Sequence, residues 1–240
     1  MTVTDILHYR DNETALQGYL AYDDAIAGTR PGVILAPEAP GPTDHVKRRA
    51  RLFAESGFIA LVLDIYGNGR TFDDMAEMME QIKQTRSDIN AWRQRIRSAV
   101  DALRQHPLAD QSRLFAVGYC FGGTGVLEIA RSGEELAGIV CFHGELTPSP
   151  HVGRGIISPI LVLTGAQDPF IPREQRSAFE DEMNRAGCRW DIMVYGGAKH
   201  GFTNPEADDS GIEGMAFDAD TDALSWNTMM TWMDIRLGKA

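Results

Sequence analysis

Short apolar runs alternate with amphipathic stretches along almost the whole chain. Two strand-like segments at the start, DILHYR and ALQGYLAY, surround the turn residues DNET and predict a β-hairpin. Later runs are rich in β-branched residues and are bounded by glycine or proline, which is typical of buried strands. These runs are GVILAP, FIALVLDI, RLFAVG, LAGIVCFHG, PILVLTG and RWDIMVYG.

Apolar side chains at helical spacing separate these predicted strands. The spacing is found over residues 44–56, from near Ser87 to QHPL, from TGVLEIARS to Gly133, and over residues 174–186. The last predicted helix carries one apolar face, made of Trp226, Met229, Met230, Met233 and Leu237. Strands that alternate with helices predict an α/β fold, a mostly parallel sheet with helices on both faces. No linker interrupts the pattern, so we expect residues 1–240 to form a single domain.

Residues 67–86, GNGRTFDDMAEMMEQIKQTR, are less regular than the rest. Met75, Met78, Met79 and Ile82 recur there at helical spacing. One interpretation is a surface helix that packs its methionines on the core. The other is a small cap segment beside a pocket, where the adaptable methionine side chain suits an apolar ligand.

Composition and charge narrow the range of partners. The formal net charge is −11 and the isoelectric point is near 5.0. An acidic chain without a basic patch is unsuited to nucleic acid or to an anionic membrane, so we expect neither as a partner. The opening MTVTDILHYR does not resemble a signal peptide, and the three cysteines lack zinc-type spacing. We therefore expect a cytoplasmic protein with free thiols and with no metal or cofactor.

The most specific feature is GYCFGG, residues 118–123, directly after the run RLFAVG. Glycines two positions before and two positions after Cys120 are typical of a sharp strand-to-helix turn that presents a nucleophile. In an open α/β sheet, chemistry collects beyond the carboxyl ends of the strands. The polar residues that follow the other predicted strands are Glu38, His143, Asp168 and His200.

Three of these residues form a candidate catalytic triad. Cys120, Asp168 and His200 follow the order nucleophile, acid, histidine that α/β-hydrolases show. The start of a helix favours Cys120 as a thiolate. His200 would take the thiol proton and later activate water, and Asp168 would hold its tautomer. The backbone N–H groups of Phe121 and Ala39 would face the oxyanion.

The other cysteines and histidines have simpler interpretations. Cys141 lies within a predicted strand and Cys188 at a helix end, so both are interpreted as small buried apolar residues. His143 is interpreted either as the lining of a pocket or as the cap of a strand. The remaining histidines have no partner pattern and are expected to be solvated; they are His8, His45, His106 and His151.

At these residues the sequence resembles the dienelactone hydrolase family. The resemblance runs through GYCFGG, GAQDPFIP, GGAKHGF and RLFAESGFIALVLDIYG, and it covers roughly residues 30–235. It implies an eight-stranded α/β-hydrolase fold and the hydrolysis of lactones or esters by a Cys-His-Asp triad. It also implies that Glu38 lies beside the thiol and helps to control its ionisation when substrate binds.

The chain departs from the family pattern in its arginines. Family members hold a substrate carboxylate with two arginines, one of which lies four residues after the triad histidine, where this chain has Asn204. The segment MAEMMEQIK, where the other is expected, contains no arginine, and Arg70 and Arg86 flank it at a distance. We therefore expect a neutral, more apolar substrate. The candidate substrate-binding residues are Tyr66, His143, Phe170, Phe202 and Asn204.

The sequence thus predicts a hydrolase that cleaves a small lactone or carboxylic ester through a cysteine nucleophile and an acyl-enzyme. Two alternatives stay open. One is a non-catalytic binding or regulatory protein on a hydrolase scaffold, and the other is a redox sensor that uses Cys120 as a reactive thiol. The sequence leaves the substrate, the pathway and the oligomeric state undetermined.

Overall fold

The structure is a computed structural model that describes residues 1–150 and 155–239. The chain forms two compact units, Met1–Val117 and Gly118–Ala240. The elements of the first unit are β1 (Thr2–Asp11), β2 (Thr14–Asp23), β3 (Arg30–Ala36), α1 (Asp44–Glu55), β4 (Ile59–Val62), α2 (Met75–Ser87), α3 (Ile89–Arg104) and β5 (Ala109–Tyr119), whose last two residues belong to the second unit. The second unit contains α4 (Phe121–Arg131), β6 (Gly138–Phe142), β7 (Ile160–Gly165), α5 (Arg173–Ala186), β8 (Trp190–Tyr195), a 3-10 helix (Pro205–Ser210) and α6 (Ala219–Arg236).

The eight strands form a mostly parallel sheet in the order β1-β2-β4-β3-β5-β6-β7-β8. β1 pairs with β2, and β2 with β4, in antiparallel fashion. The pairs β3–β4, β6–β7 and β7–β8 are parallel. The expected α/β class with a mostly parallel sheet of eight strands is therefore confirmed. That residues 1–240 form a single domain stays a prediction.

The first unit begins with the hairpin that the sequence predicts. β1 and β2 are in register from Thr2 opposite Asp23 to Asp11 opposite Thr14. The turn between them uses Asn12 at a positive φ of 49°, a conformation that asparagine tolerates better than most residues. The helix predicted over residues 44–56 is also present, and it buries Val46, Ala50, Phe53 and Ala54 as its spacing indicates.

Two predicted elements of this unit have different bounds in the structure. The strand predicted over FIALVLDI ends at Val62, because Asp64 leaves the ladder and accepts backbone N–H groups with its carboxylate. These donors are Gln17, Tyr66, Gly67 and Gly69, at 2.7–3.2 Å. The helix predicted from near Ser87 begins at Ile89, because the side chain of Asp88 caps it by accepting from the N–H groups of Asn90 and Ala91.

The irregular segment that the sequence places at residues 67–86 contains helix α2. Asp74 caps its start by accepting from the N–H of Glu77. Among its methionines Met78 is buried, whereas Met75 is 45% exposed and Met79 is 54% exposed. The interpretation that all the methionines pack on the core is therefore wrong for these two. A cap role for this segment stays a prediction.

In the second unit the last helix buries a face that differs from the predicted one. Met229 and Met233 are buried as expected, but Trp226, Met230 and Leu237 are only half-buried. Trp232 is 7% exposed instead. Its indole N–H donates to Asp191 Oδ2 at 2.8 Å, and the Arg236 guanidinium lies 3.3 Å from its ring centroid. The bond to Asp191 in β8 joins residues 41 positions apart, so the helical spacing of α6 does not contain it.

A buried ion cluster joins two helices of the second unit. Arg131, at the end of α4, is 1% exposed. Its guanidinium donates two hydrogen bonds to Glu182 in α5, at 2.9 and 2.7 Å, and one to Glu128 at 2.8 Å. It also donates to the backbone oxygen of Thr147 at 3.1 Å. Because every charge in this cluster has partners, α4 is held against α5 and against the loop after β6.

Within residues 1–150 and 155–239, no helix is both long and apolar enough to cross a membrane. The expected cytoplasmic location stays a prediction. His8 is exposed and His106 is half-buried. His151 lies outside the described residues.

Candidate active site

The turn around Cys120 is a strained strand-to-helix elbow. Cys120 has φ 51° and ψ −114°, outside the regions that side-chain-bearing residues usually occupy. Its N–H donates to the oxygen of Phe142 at 3.0 Å, and its oxygen accepts from the N–H of Thr124 at 3.1 Å. Strain of this kind persists where the surrounding contacts hold it, and it is common at functional sites.

The glycines of GYCFGG lie where other backbone atoms approach too closely for a side chain. A Cβ on Gly118 would lie 2.1 Å from the oxygen of Gly122, and one on Gly123 would lie 2.9 Å from the oxygen of Phe142. Neither position can hold a side chain unless backbone moves. The glycine pattern therefore belongs to the packing of the elbow, which leaves Cys120 half-buried at the start of α4.

Three side chains of the second unit meet in one hydrogen-bonded row. His200 Nε2 lies 3.1 Å from Cys120 Sγ, and His200 Nδ1 lies 2.8 Å from Asp168 Oδ2. The other carboxylate oxygen of Asp168 accepts the N–H of Phe170 at 2.8 Å. The backbone of His200 is held on both sides, because its N–H donates to Gly214 at 3.0 Å and its oxygen accepts from Ala216 at 3.1 Å.

The charges beside His200 favour the protonated form of its imidazole. His200 and Asp168 are 6% and 3% exposed, so water screens them little. Burial opposes a charge on the imidazole, but the neighbouring sulfur of Cys120 and the carboxylate of Asp168 outweigh it and raise the pKa of His200 to about 10. The arrangement favours a proton shared between the sulfur and the imidazole, with the carboxylate as its support.

Aromatic rings enclose the imidazole of His200. Phe170 lies edge-on to it at a centroid distance of 5.1 Å, and His143 lies at 5.1 Å with an interplanar angle of 64°. His143 is fully buried, whereas Phe170 is 47% exposed. Nε2 of His143 lies 3.0 Å from Oγ1 of Thr203, a buried residue to which the sequence analysis assigns no role. Its only signal in the sequence is its position three residues after His200.

The other substrate-binding candidates of this unit have local partners. Phe202 is fully buried and packs on His143 at 5.3 Å and on Tyr195 at 5.7 Å. Asn204 caps the short 3-10 helix, where its Oδ1 accepts the N–H of Glu206 at 3.0 Å. Substrate contact by any of these side chains stays a prediction, and Phe170 offers the most surface among them.

The first unit contains Glu38 in a buried polar cluster. Its Oε2 lies 3.3 Å from Nδ1 of His45, and Arg49 Nε lies 3.4 Å from the other ring nitrogen. His45 was expected to be solvated, and that expectation is wrong, since it is 0% exposed. The helical face of α1 brings it inward together with Val46. The role of Glu38 at the thiol stays a prediction.

Tyr66 and Ala39 contact each other within the same unit. The hydroxyl of Tyr66 donates to the oxygen of Ala39 at 2.7 Å, and its ring lies edge-on to Phe72 at 5.0 Å. This hydrogen bond anchors the segment after β3. That segment contains Ala39, whose N–H the sequence analysis predicts to face the oxyanion. Arg70, which flanks the arginine-free segment MAEMMEQIK, is paired with the carboxylate of Glu77.

The two remaining cysteines are protected to different degrees. Cys141 is fully buried, and burial raises the pKa of its thiol to about 12. Cys188 is half-buried, and burial raises the pKa of its thiol as well. In the described part of the chain, no group of three or more histidine, cysteine or acidic side chains has an arrangement that could hold a metal ion.

Comparison with known proteins gives the family. The family model described as "Dienelactone hydrolase family" matches residues 16–236. A probable 2-oxo-3-(5-oxofuran-2-ylidene)propanoate lactonase from Bradyrhizobium sp is 28% identical over 214 residues, which are 84% of this chain and 86% of the relative. A putative carboxymethylenebutenolidase from Yersinia pestis is 24% identical over 90% of this chain and 82% of its own length.

Solved structures agree with this assignment. A dienelactone hydrolase-like promiscuous phosphotriesterase from metagenomic libraries is 40% identical, with a TM-score of 0.94 over 97% of this chain and 98% of its own. A putative dienelactone hydrolase from Klebsiella pneumoniae is 21% identical, with a TM-score of 0.82 over 97% of this chain and 98% of its own, and shows the same fold.

The chain belongs to the dienelactone hydrolase family and has the α/β-hydrolase fold, as the resemblance implies. It is a hydrolase that acts on lactones or esters. Its substrate is accordingly a small molecule of that class.

Proposed function

We propose that this hydrolase cleaves its lactone or ester through a Cys120 thiolate and a covalent acyl-enzyme. The observation that carries the proposal is the row of Cys120, His200 and Asp168, with separations of 3.1 and 2.8 Å. A nucleophile, a base in contact with it and a group that orients the base are the parts that covalent hydrolysis requires.

The proposed first step acylates the cysteine. The thiolate of Cys120 attacks the substrate carbonyl carbon, and the carbonyl electron pair moves onto its oxygen. The N–H of Phe121 at the start of α4 is the proposed donor to this oxyanion, with Ala39 as the second donor that the sequence assigns. As the C–O bond breaks, the imidazolium of His200 gives its proton to the leaving alkoxide.

The proposed second step releases the acid. Neutral His200 takes a proton from water, the resulting hydroxide attacks the thioester carbonyl, and the C–S bond breaks to return the thiolate and the imidazolium. A thiolate leaves the tetrahedral intermediate more readily than an alkoxide does. Esters and lactones with good leaving groups, such as enols, therefore suit this nucleophile, and amides suit it poorly.

Control of the thiol by Glu38 remains part of the proposal. Glu38 is 7% exposed and its carboxylate lies 3.3 Å from His45 Nδ1, so it is a fixed, buried acid and not a loop side chain in solvent. A carboxylate beside a thiol would oppose its ionisation by like-charge repulsion. Faster alkylation of Cys120 in Glu38→Gln without substrate would support this role, and an unchanged rate would remove it.

The redox alternative has little support from the second unit. A resolving thiol must ionise to attack an oxidised cysteine. Cys141 is fully buried, and its pKa is raised to about 12, so it supplies almost no thiolate near neutral pH. The row around Cys120 also contains a base and its carboxylate, which a redox sensor does not need.

Hydrolysis of an activated ester by wild type and by Cys120→Ala tests the proposal. We expect the release of p-nitrophenol from a short-chain ester to depend on Cys120, with a burst equal to the enzyme concentration if deacylation is slow. Mass spectrometry of the quenched reaction should find the acyl group on the peptide with Cys120. Equal rates for the two proteins would overturn the proposal, and Cys188→Ala is the matched control.

A second candidate activity is the hydrolysis of phosphotriesters. The relative described as a promiscuous phosphotriesterase is 40% identical over 97% of this chain. A neutral phosphotriester that releases p-nitrophenol, assayed with wild type and Cys120→Ala, tests it. Hydrolysis of the phosphotriester by wild type but not by Cys120→Ala supports this activity. No hydrolysis by wild type excludes it.

A further inference from the structure

His143 occupies a backbone conformation that needs an explanation. It directly follows β6 with φ 38°, a left-handed value that is uncommon for a residue with a side chain. Its N–H donates to the oxygen of Leu163 in β7 at 2.9 Å, so the strained residue is fixed to the sheet. The next residue, Gly144, leaves no room for a side chain, because a Cβ there would lie 2.7 Å from Cys141 Sγ. The surroundings thus impose the conformation.

The strained backbone directs a fully buried imidazole at His200. The ring centroids of His143 and His200 are 5.1 Å apart, and Phe202 packs edge-on against the His143 ring at 5.3 Å. Tyr119 lies at 6.2 Å from it. Nε2 of His143 is anchored 3.0 Å from the hydroxyl of Thr203. His143 therefore connects the end of β6 with the loop that carries His200.

The contacts of His200 differ in how firmly they can hold it. Asp168 and Cys120 fix the direction of its two nitrogens, at 2.8 and 3.1 Å, but hydrogen bonds along one line allow the ring to turn about that line. Phe170 contacts one side but is 47% exposed. His143, at 0% exposure, is the most deeply buried of these contacts.

We propose that His143 is a positioning residue that, anchored by Thr203, holds the His200 imidazole in the orientation where Nε2 faces the Cys120 sulfur. In this role it acts through His200. This inference rests on the proposed function for its effect on turnover, since the sulfur–imidazole pair must be aligned for both chemical steps. An aromatic ring with one hydrogen-bonding nitrogen meets both requirements, because it packs on His200 and reaches Thr203.

Three variants separate the ring from its anchor. Thr203→Val keeps the shape of the buried side chain and removes the hydroxyl. His143→Phe keeps a ring and removes the nitrogen. His143→Asn removes the ring but suits the left-handed backbone. Thr164→Val is the matched control, because Thr164 is another fully buried threonine of the same unit and its hydroxyl has no hydrogen-bond partner among the described residues.

Two readouts distinguish positioning from simple loss of stability. The first is the rate at which iodoacetamide alkylates Cys120, followed by mass spectrometry from acid to alkaline pH. The second is kcat and KM for a neutral activated ester. Circular dichroism and the melting temperature report the folded fraction, so each rate is compared per folded molecule.

We expect Thr203→Val and His143→Phe to lower both kcat and the neutral-pH alkylation rate by roughly tenfold, with KM changed less than about twofold. The alkylation profile should move to higher pH by about one unit, since tenfold in an equilibrium corresponds to one unit. His143→Asn should lose about a hundredfold, because ring and anchor are both removed. Thr164→Val should retain the wild-type profile.

Two results would overturn the proposal. In the first, Thr203→Val and at least one of the two His143 variants show the same dependence of Cys120 alkylation on pH as the control Thr164→Val. The other is a rise in KM with kcat and alkylation unchanged, which would make His143 a substrate-lining residue. If wild type hydrolyses no ester at all, the proposed function fails, but the alkylation profiles still decide whether His143 positions His200.

Discussion

The replacement of Asp168 by asparagine tests how the candidate triad produces a reactive sulfur. The change removes one negative charge, now 2.8 Å from His200 Nδ1, and keeps nearly the same volume. Two unit charges about 4 Å apart interact by about 4 kcal/mol at an effective dielectric constant of about 20. At about 1.36 kcal/mol per pKa unit, this corresponds to about three units in the pKa of the imidazole. We treat this as an upper limit, since water enters a site that has lost a charge.

The sign of the effect follows from the raised pKa of His200. In wild type the raised pKa of His200 favours the imidazolium at neutral pH, so it can stabilise a thiolate there. Without Asp168 the pKa of His200 falls, and the thiolate–imidazolium pair becomes less populated. We therefore expect the alkylation of Cys120 at neutral pH to slow by between about tenfold and about a thousandfold, and kcat for a neutral ester to fall at least as much.

The assay is iodoacetamide labelling against pH, with quantification of the Cys120 peptide. Asp181→Asn is the matched control, because Asp181 is an exposed aspartate in α5 of the same unit. Equal melting temperatures would show that both variants are folded. A Cys120 labelling profile in Asp168→Asn that overlays wild type would refute the reasoning, since the carboxylate would then have no influence on the sulfur.

Other consequences can be measured on the same protein. Iodoacetamide should label Cys120 before Cys188 and Cys188 before Cys141, because Cys141 is fully buried with a pKa of about 12; peptide mapping that finds Cys188 first would contradict the site. Neutral esters should exceed their carboxylated analogues in kcat/KM, because no arginine lies four residues after His200; a carboxylated substrate about tenfold better, or about 1.4 kcal/mol, would show that an arginine reaches the pocket. Arg131→Met should cost about 3–5 kcal/mol in the free energy of unfolding, because it leaves two buried carboxylates without this cation. Chemical denaturation measures that loss, with Arg185→Met, a change at an exposed arginine, as the control. Equal free energies of unfolding for the two variants would contradict the prediction.

Local pattern was sufficient for most of the fold. Apolar runs bounded by glycine or proline predicted the buried strands, and apolar faces at helical spacing predicted most helices, because both patterns are properties of a single element. The elbow was equally readable, since its glycines are needed within a span of six residues, 118–123. The start of α3 depended on its cap, Asp88, and for that reason it lies two residues after the predicted position near Ser87.

The partners of the candidate site required the tertiary structure. The order of Cys120, Asp168 and His200 suggested a triad. However, His200 is 80 residues from Cys120 and 32 residues from Asp168, and separation along the chain does not determine the distance between side chains. The pairing of His143 with Thr203 spans 60 residues and had no pattern to predict it. His45 was expected in solvent because a lone histidine on a helix gives no sign of what packs over it.

Burial decided the remaining differences. Met75 and Met79 fit the helical spacing as well as Met78 does, but only Met78 is covered. Trp232 lies off the predicted face of α6 and is nevertheless buried, and its indole N–H donates to Asp191, 41 residues earlier in the chain. The sequence by itself determined the elements, the elbow and the order of the chemical groups, since these depend on neighbours along the chain. Which side chains are buried, and which of them surround His200, depends on contacts between distant segments, and only the folded chain brings those together.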